Sequence, residues 1–130
     1  MAYPSEFKYS KEHEWAKREG SKVRVGITEY AQKELGDVVY VELPQVGRKV
    51  KLGEAFAVVE SVKAVSDVYA PISGEVVEVN KELENKPELV NQSPHEKGWM
   101  AVIAMQNPSE LDSLMSAAEY EKYIGSLKDS

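Results

Sequence analysis

The chain has 130 residues, 42% of them hydrophobic, enough for one domain around one modest core. It contains no cysteine, which excludes disulfides, thiolate metal sites and cysteine nucleophiles. A net charge of -6 and a pI near 5.0 speak against a nucleic-acid binder and favour partners with basic patches.

The opening M-A-Y-P-S-E-F-K has no apolar core and carries an early acid, so neither a secretory signal nor a transit peptide is expected. No apolar run reaches the length of a membrane span, and the expectation is a soluble cytoplasmic protein with no membrane partner. Residues 7 to 15, F-K-Y-S-K-E-H-E-W, alternate loosely, with Phe7, Tyr9 and Trp15 spaced for one face of a single strand. His13 reads as a hydrogen-bonded surface residue and Glu14 as a solvated acid. With only His95 as company, His13 gives no metal site. From Lys22 to Ile27 the residues Val23, Val25 and Ile27 alternate inward against Lys22 and Arg24, the pattern of a half-buried strand. Thr28 is then an N-cap and Gly36 a stop for a helix of about two turns.

A β-rich run, D-V-V-Y-V-E-L, follows from Asp37 and closes at the Pro44–Gly47 turn. Arg48 to Lys51 is a short edge strand. Phe56 to Pro71 reads almost the same in both directions about Lys63-Ala64, with Val62 answering Val65, Ser61 answering Ser66, Glu60 answering Asp67 and Val59 answering Val68. That symmetry predicts an antiparallel hairpin turning at Lys63-Ala64. Neither turn residue is a usual turn former, and Glu60 would face a like charge in Asp67. A hairpin that accepts both reads as one that presents Lys63. G-E-V-V-E-V at Gly74 echoes G-D-V-V-Y-V at Gly36, which suggests two similar half-sheets packed face to face.

Lys81 to Pro94 is broken by Asn80, Asn85, Pro87, Asn91 and Pro94 and reads as a loop with one helical turn. W-M-A-V-I-A-M from Trp99 is a buried strand. Asn107-Pro108 with Glu110, and Ser116 with Glu119, start two short helices or one kinked helix, a C-terminal helical segment at about 107–128 within a single 1–130 domain.

The block E-S-V-K-A-V-S-D-V-Y-A-P-I-S-G-E-V-V-E-V-N from Glu60 resembles the lipoylation segment of the H proteins of glycine cleavage systems. H-E-W at His13, V-G-I-T-E-Y-A-Q at Val25, L-G-D-V-V-Y-V-E-L-P at Leu35 and G-W at Gly98 are similar to the same family in its order. The resemblance implies a mainly β fold, a lipoyl-type barrel-sandwich hybrid of two small antiparallel sheets with short peripheral and C-terminal helices. It implies lipoic acid in amide linkage to Lys63, read by a lipoate-attaching enzyme through a signature Glu three residues earlier, Glu60, and a Gly sixteen earlier, Gly47. It also implies a non-catalytic carrier for the aminomethyl group of glycine. Its partners would be glycine decarboxylase (P protein), aminomethyltransferase (T protein) and dihydrolipoyl dehydrogenase (L protein), and Glu14 and Asp67 would shelter the loaded arm. Three rivals stand beside this reading. A lipoyl or biotinyl domain of another multienzyme complex would also put its lysine at a hairpin tip, but a biotinyl domain would flank it with Met, where Val62 and Ala64 stand, and the absence of flexible linkers favours a freestanding carrier. A Schiff-base enzyme would need a neutral Lys63, which Glu60 and Asp67 oppose. An unmodified structural β module stays open on fold alone.

Overall fold

The computed structural model describes residues 3–128. Two antiparallel sheets and a few short helices make up the fold. The larger sheet has six strands in the order β1 (Phe7–Tyr9), β2 (Glu14–Glu19), β3 (Lys22–Ile27), β9 (Ala101–Met105), β8 (Gly74–Val79) and β5 (Lys49–Val50). The smaller has three, β4 (Val38–Glu42), β6 (Ala55–Ser61) and β7 (Val65–Tyr69). Among the described residues no closed barrel forms. The echoed segments become β4 and β8, one in each sheet, but the sheets are unequal because the chain before residue 28 adds three strands to one of them.

Inward valines and isoleucines from both sheets meet in one core, in which Val23, Val25, Val59, Ile72, Val76 and Ile103 are all buried. The alternation read in β3 holds, and W-M-A-V-I-A-M supplies β9, paired on both edges by β3 and β8. A second, aromatic cluster joins the N-terminal strands to the C-terminal helix α4 (Ala117–Lys128), with Phe7 stacked on Trp15 and Tyr9 on Tyr120.

Residues 7 to 15 are not one strand. The chain reverses between β1 and β2, and Tyr9 lies opposite Trp15. The reversal is closed by the Ser10 amide on the Glu14 carbonyl and the His13 amide on the Ser10 carbonyl. The helix α1 (Glu29–Leu35) forms as its caps predict: the Thr28 hydroxyl accepts the Ala31 amide, and Gly36 ends it at φ 80°. The polar stretch after β8 holds two single helical turns, α2 (Glu82–Asn85) and α3 (Leu89–Gln92). Asn107 does cap a helix, but Pro108–Ser113 is a 3-10 helix, and the Ser116–Glu119 capping box then starts α4 with both reciprocal bonds made.

The hairpin differs from its predicted register. Its turn is Val62-Lys63, one residue earlier, with Ser61 bonded to Ala64, Glu60 opposite Val65 and Asp67 opposite Val58. Glu60 and Asp67 therefore do not face each other, and the like-charge cost attributed to them does not exist. The Ser61 side chain sets this register: its hydroxyl oxygen accepts the amides of both Lys63 and Ala64, holding a turn that has no glycine.

Gly74 shows how close the strands of the larger sheet lie. A Cβ placed there would sit 2.0 Å from the Ala104 carbonyl oxygen, whereas a Cβ on Gly125 in α4 would meet nothing within 4 Å. Gly74→Ala is expected to lower unfolding stability by about 3 kcal/mol. Gly125→Ala is expected to raise it by about 0.5 to 1 kcal/mol. Urea unfolding of the two variants checks both signs.

Candidate functional site

Lys63 stands at the hairpin tip, exposed, between Val62 and Val65, each 70% exposed. No ion pair holds its ammonium among the described residues. Its base is nevertheless fixed. The Val62 amide donates to the Asp37 carbonyl at 3.0 Å, and the Lys63 methylenes lie over Gly36, where an added Cβ would be 3.5 Å from the lysine Cε. The same junction is tied from α3 by Asn91, whose amide nitrogen donates to the Gly36 carbonyl and the Gln32 side chain while its oxygen accepts the Val38 amide. Asn91 was legible in the sequence only as a loop residue, because its three partners come from a segment more than fifty positions earlier.

Beside this junction lies a cleft of about 310 Å³. One wall is α1, through Tyr30, Ala31, Glu34 and Leu35. The other combines residues 12–14 with Val59 and Ser66–Val68 of the hairpin. The cleft brings together Glu14 and Asp67, two residues implied by resemblance, and adds Glu12, Glu34 and His13, which the sequence reading did not assign to it. Among the described residues four carboxylates line it, and no lysine or arginine does. Glu34 had one faint signal: it shares a helix face with Ala31 and Leu35, an acid in an otherwise inward stripe.

Glu14 is not the solvated acid it resembles in the sequence. It is 3% exposed, bonded by the Ser10 hydroxyl and the Tyr69 amide. Burial pushes its carboxyl up from an ordinary 4.5 to about 7, and the two hydrogen bonds only partly oppose that. Asp67 is exposed at the rim. His13 is half-buried with Nδ1 2.8 Å from the Tyr120 hydroxyl, and burial holds its pKa below the usual imidazole value.

The two remaining candidates lie outside the cleft. Glu60 is half-buried in the outward row between Tyr40 and Val65, three residues before Lys63. Gly47 turns the chain between β4 and β5 at φ 97°, with its amide on the Val76 carbonyl. Nothing comes within 4 Å of a Cβ placed on Gly47, so Lys63 is not its neighbour in the way it is of Gly36. A larger hollow of about 570 Å³, lined by Trp15, Lys17, Arg24, His95 and Trp99, contains none of these candidates. Among the described residues no group of His, Asp and Glu could hold a metal ion.

Comparison with known proteins gives one answer. The sequence profile of the family described as "Glycine cleavage H-protein" matches residues 7–127. The chain is similar to the glycine cleavage system H protein of Staphylococcus haemolyticus, 59% identical over 125 residues, covering 96% of this chain and 99% of that protein. It is 58% identical over 124 residues to the protein of that name from Bacillus licheniformis, covering 95% and 98%. In structure it is similar to a glycine cleavage system H protein from Mycobacterium marinum, with a TM-score of 0.87, 37% identity, and coverage of 95% of this chain and 99% of that one.

The raised pKa of Glu14 makes stability depend on pH. A carboxyl that binds its proton more tightly when folded stabilises the fold fully below the unfolded pKa and loses that contribution as pH rises through the folded value. Between pH 4.5 and about 7 the loss from Glu14 amounts to about 3 kcal/mol. The partly buried His13 and His95, whose values are lowered, act with the opposite sign. Glu14→Gln isolates the term: across that range its stability should fall about 3 kcal/mol less than wild type, measured by urea unfolding at each pH.

Proposed function

The chain belongs to the glycine cleavage H-protein family, the lipoyl carriers of that system, and we propose that it bears its lipoyl group in amide linkage on Lys63. In that role it shuttles the aminomethyl group of glycine between the other components. The specific partners we assign are glycine decarboxylase, aminomethyltransferase and dihydrolipoyl dehydrogenase, together with a lipoate-attaching enzyme. The observation that carries the assignment is the placement of Lys63: exposed at the tip of a hairpin, its root fixed over Gly36, next to a cleft lined by carboxylates.

The residues present fit the group. Lys63 is open to acylation, with no acid among the described residues bonded to its ammonium. Bound lipoyl supplies a redox-active disulfide that the cysteine-free chain lacks. The protein is thus read as a non-catalytic carrier, a single domain over residues 1–130. Glu14 and Asp67 are assigned to hold the carried amine as its ammonium. That matters because an amine one carbon from sulfur decomposes when its nitrogen lone pair expels the sulfur, and an ammonium has no lone pair to offer. Burial of Glu14 makes such pairing stronger than it would be in water. The four cleft acids favour a cation and disfavour an anion.

Glu60 and Gly47 are assigned to recognition by the lipoate-attaching enzyme. Among the described residues no side-chain hydrogen bond or ion pair explains the place of Glu60 between Tyr40 and Val65, and it lies on the same hairpin as the lysine. Gly47 has a full local explanation in its left-handed backbone, so its part is to keep the turn. No helix among the described residues is long and apolar enough to cross a membrane, and a cytoplasmic setting completes the reading.

Intact mass with fragment mapping after growth on lipoate is expected to place a single lipoyl group on Lys63. Lys63→Arg should abolish it with the unfolding curve unchanged, and lipoylation persisting in that variant would remove the assignment. For Glu60→Ala, the initial rate of lipoylation should fall by roughly tenfold, the loss of one charge-assisted contact, at unchanged thermal stability. Equal rates would show that hairpin shape alone selects the lysine.

A further inference from the structure

We propose that Ser10 is the positioning residue for Glu14: its hydroxyl, which is no part of the cleft lining, holds the Glu14 carboxylate in place to receive the carried amine. The proposal deepens the reading of the cleft as the shelter of the loaded arm and rests on it. Ser10 bonds residue 14 at three points. Its amide donates to the Glu14 carbonyl, its hydroxyl oxygen accepts the Glu14 amide at 3.0 Å, and its hydroxyl hydrogen goes to Glu14 Oε1. The last two bonds run through one hydroxyl, which ties the backbone and the carboxylate of the same residue together and so fixes the side chain. The reversal around them is held tightly enough to carry strain. His13 is the only non-glycine residue with positive φ among the described residues, at 71°, and its amide donates to the Ser10 carbonyl while its carbonyl accepts the Thr28 amide.

Ser10 lines a second hollow of about 240 Å³, walled by Leu52, Tyr69, Leu114 and Met115. Glu14 borders both this hollow and the cleft, whereas Ser10 borders only the hollow, so Ser10 acts on the cargo through that carboxylate. An ionised carboxylate has about four acceptor positions. Ser10 fills one on Oε1 and the Tyr69 amide, at 3.2 Å, one on Oε2, which leaves one on each oxygen for an ammonium. The two donors are not alike. The Tyr69 amide belongs to the backbone of β7 and is present whatever side chain stands there, but the Ser10 hydroxyl is set by the sequence.

The surroundings give Glu14 no other support. On the cleft side stand Glu12, a neutral His13, Tyr30 and Glu34 of α1, and Asp67 of β7. On the other side are Tyr9, Tyr69 and Lys11, which forms no ion pair among the described residues, and Tyr120 of α4 is near enough to feel the charge. Burial and Glu12 favour the protonated acid, which has no charge to offer an ammonium, and of the two bonds that oppose them the one from Ser10 is the stronger.

Two measurements test this on Ser10→Ala, which keeps both backbone bonds of the reversal, and Ser10→Thr, which keeps the hydroxyl. In unloaded protein the 13C shift of the Glu14 carboxyl is followed against pH. Its midpoint is expected to rise by about one pH unit in Ser10→Ala and to stay at the wild-type position in Ser10→Thr. An unmoved midpoint in Ser10→Ala overturns the proposal. Loss of the carried group is then followed in loaded protein at neutral pH. Ser10→Ala should lose it roughly tenfold faster than wild type, and Ser10→Thr at the wild-type rate. On top of Glu14→Gln, Ser10→Ala should add nothing, because its effect runs through that carboxylate. If the two changes multiply in full, Ser10 has a structural part only and the proposal falls while the cleft stands. If Glu14→Gln itself leaves the rate of loss unchanged, the shelter reading falls and takes this proposal with it.

Discussion

The Asn91 side chain is the interaction on which presentation of Lys63 depends. Three hydrogen bonds from one amide close the junction between the end of α1 and the start of β4. Without them the Gly36 and Val38 groups at the end of the helix would need water or other partners. Asp37 lies within that junction, and its carbonyl holds the Val62 amide beside the lysine. A carrier needs a mobile arm on a root that does not move, and a two-residue turn with Val62 and the nearby Val65 both exposed cannot supply such a root alone. The junction does so from behind, leaving the tip open on its outer side.

The cleft follows from the same arrangement. Because α1 ends at the lysine root, its Ala31–Glu34–Leu35 face becomes a wall next to the point where an arm would begin. The facing wall is the tight reversal before β2, which places Glu14 out of water and its neighbour His13 in a left-handed conformation. The C-terminal helix lies outside the cleft yet reaches both walls through Tyr120. Helices that look peripheral in the chain thus set the geometry of the site, while the two sheets supply the stable frame.

Much of this was legible in the sequence wherever the cause was local. The Thr28 cap, the Ser116–Glu119 box, the alternation of β3 and the apolar run of β9 each act over a few residues and formed as predicted. The hairpin was legible from its palindrome, but the register was not. Moving the turn by one residue shifts each partner by two, which leaves every side chain on the same face, so alternation cannot distinguish the two registers. The Ser61 hydroxyl decides between them. The burial of Glu14, the bonds of Asn91 and the strain at His13 all depend on segments far apart in the chain, and no local pattern encodes them.

Amide chemical shifts compared between lipoylated protein with and without its carried group test most directly whether the cleft beside the lysine root shelters the cargo. Changes should appear at residues 12–14, 31–35 and 66–68, the cleft walls, and be absent around Arg24 and Trp99 in the larger hollow. Changes confined to Val62, Lys63 and Ala64 would mean that the arm stays free in solvent, and the cleft would have no part in carrying.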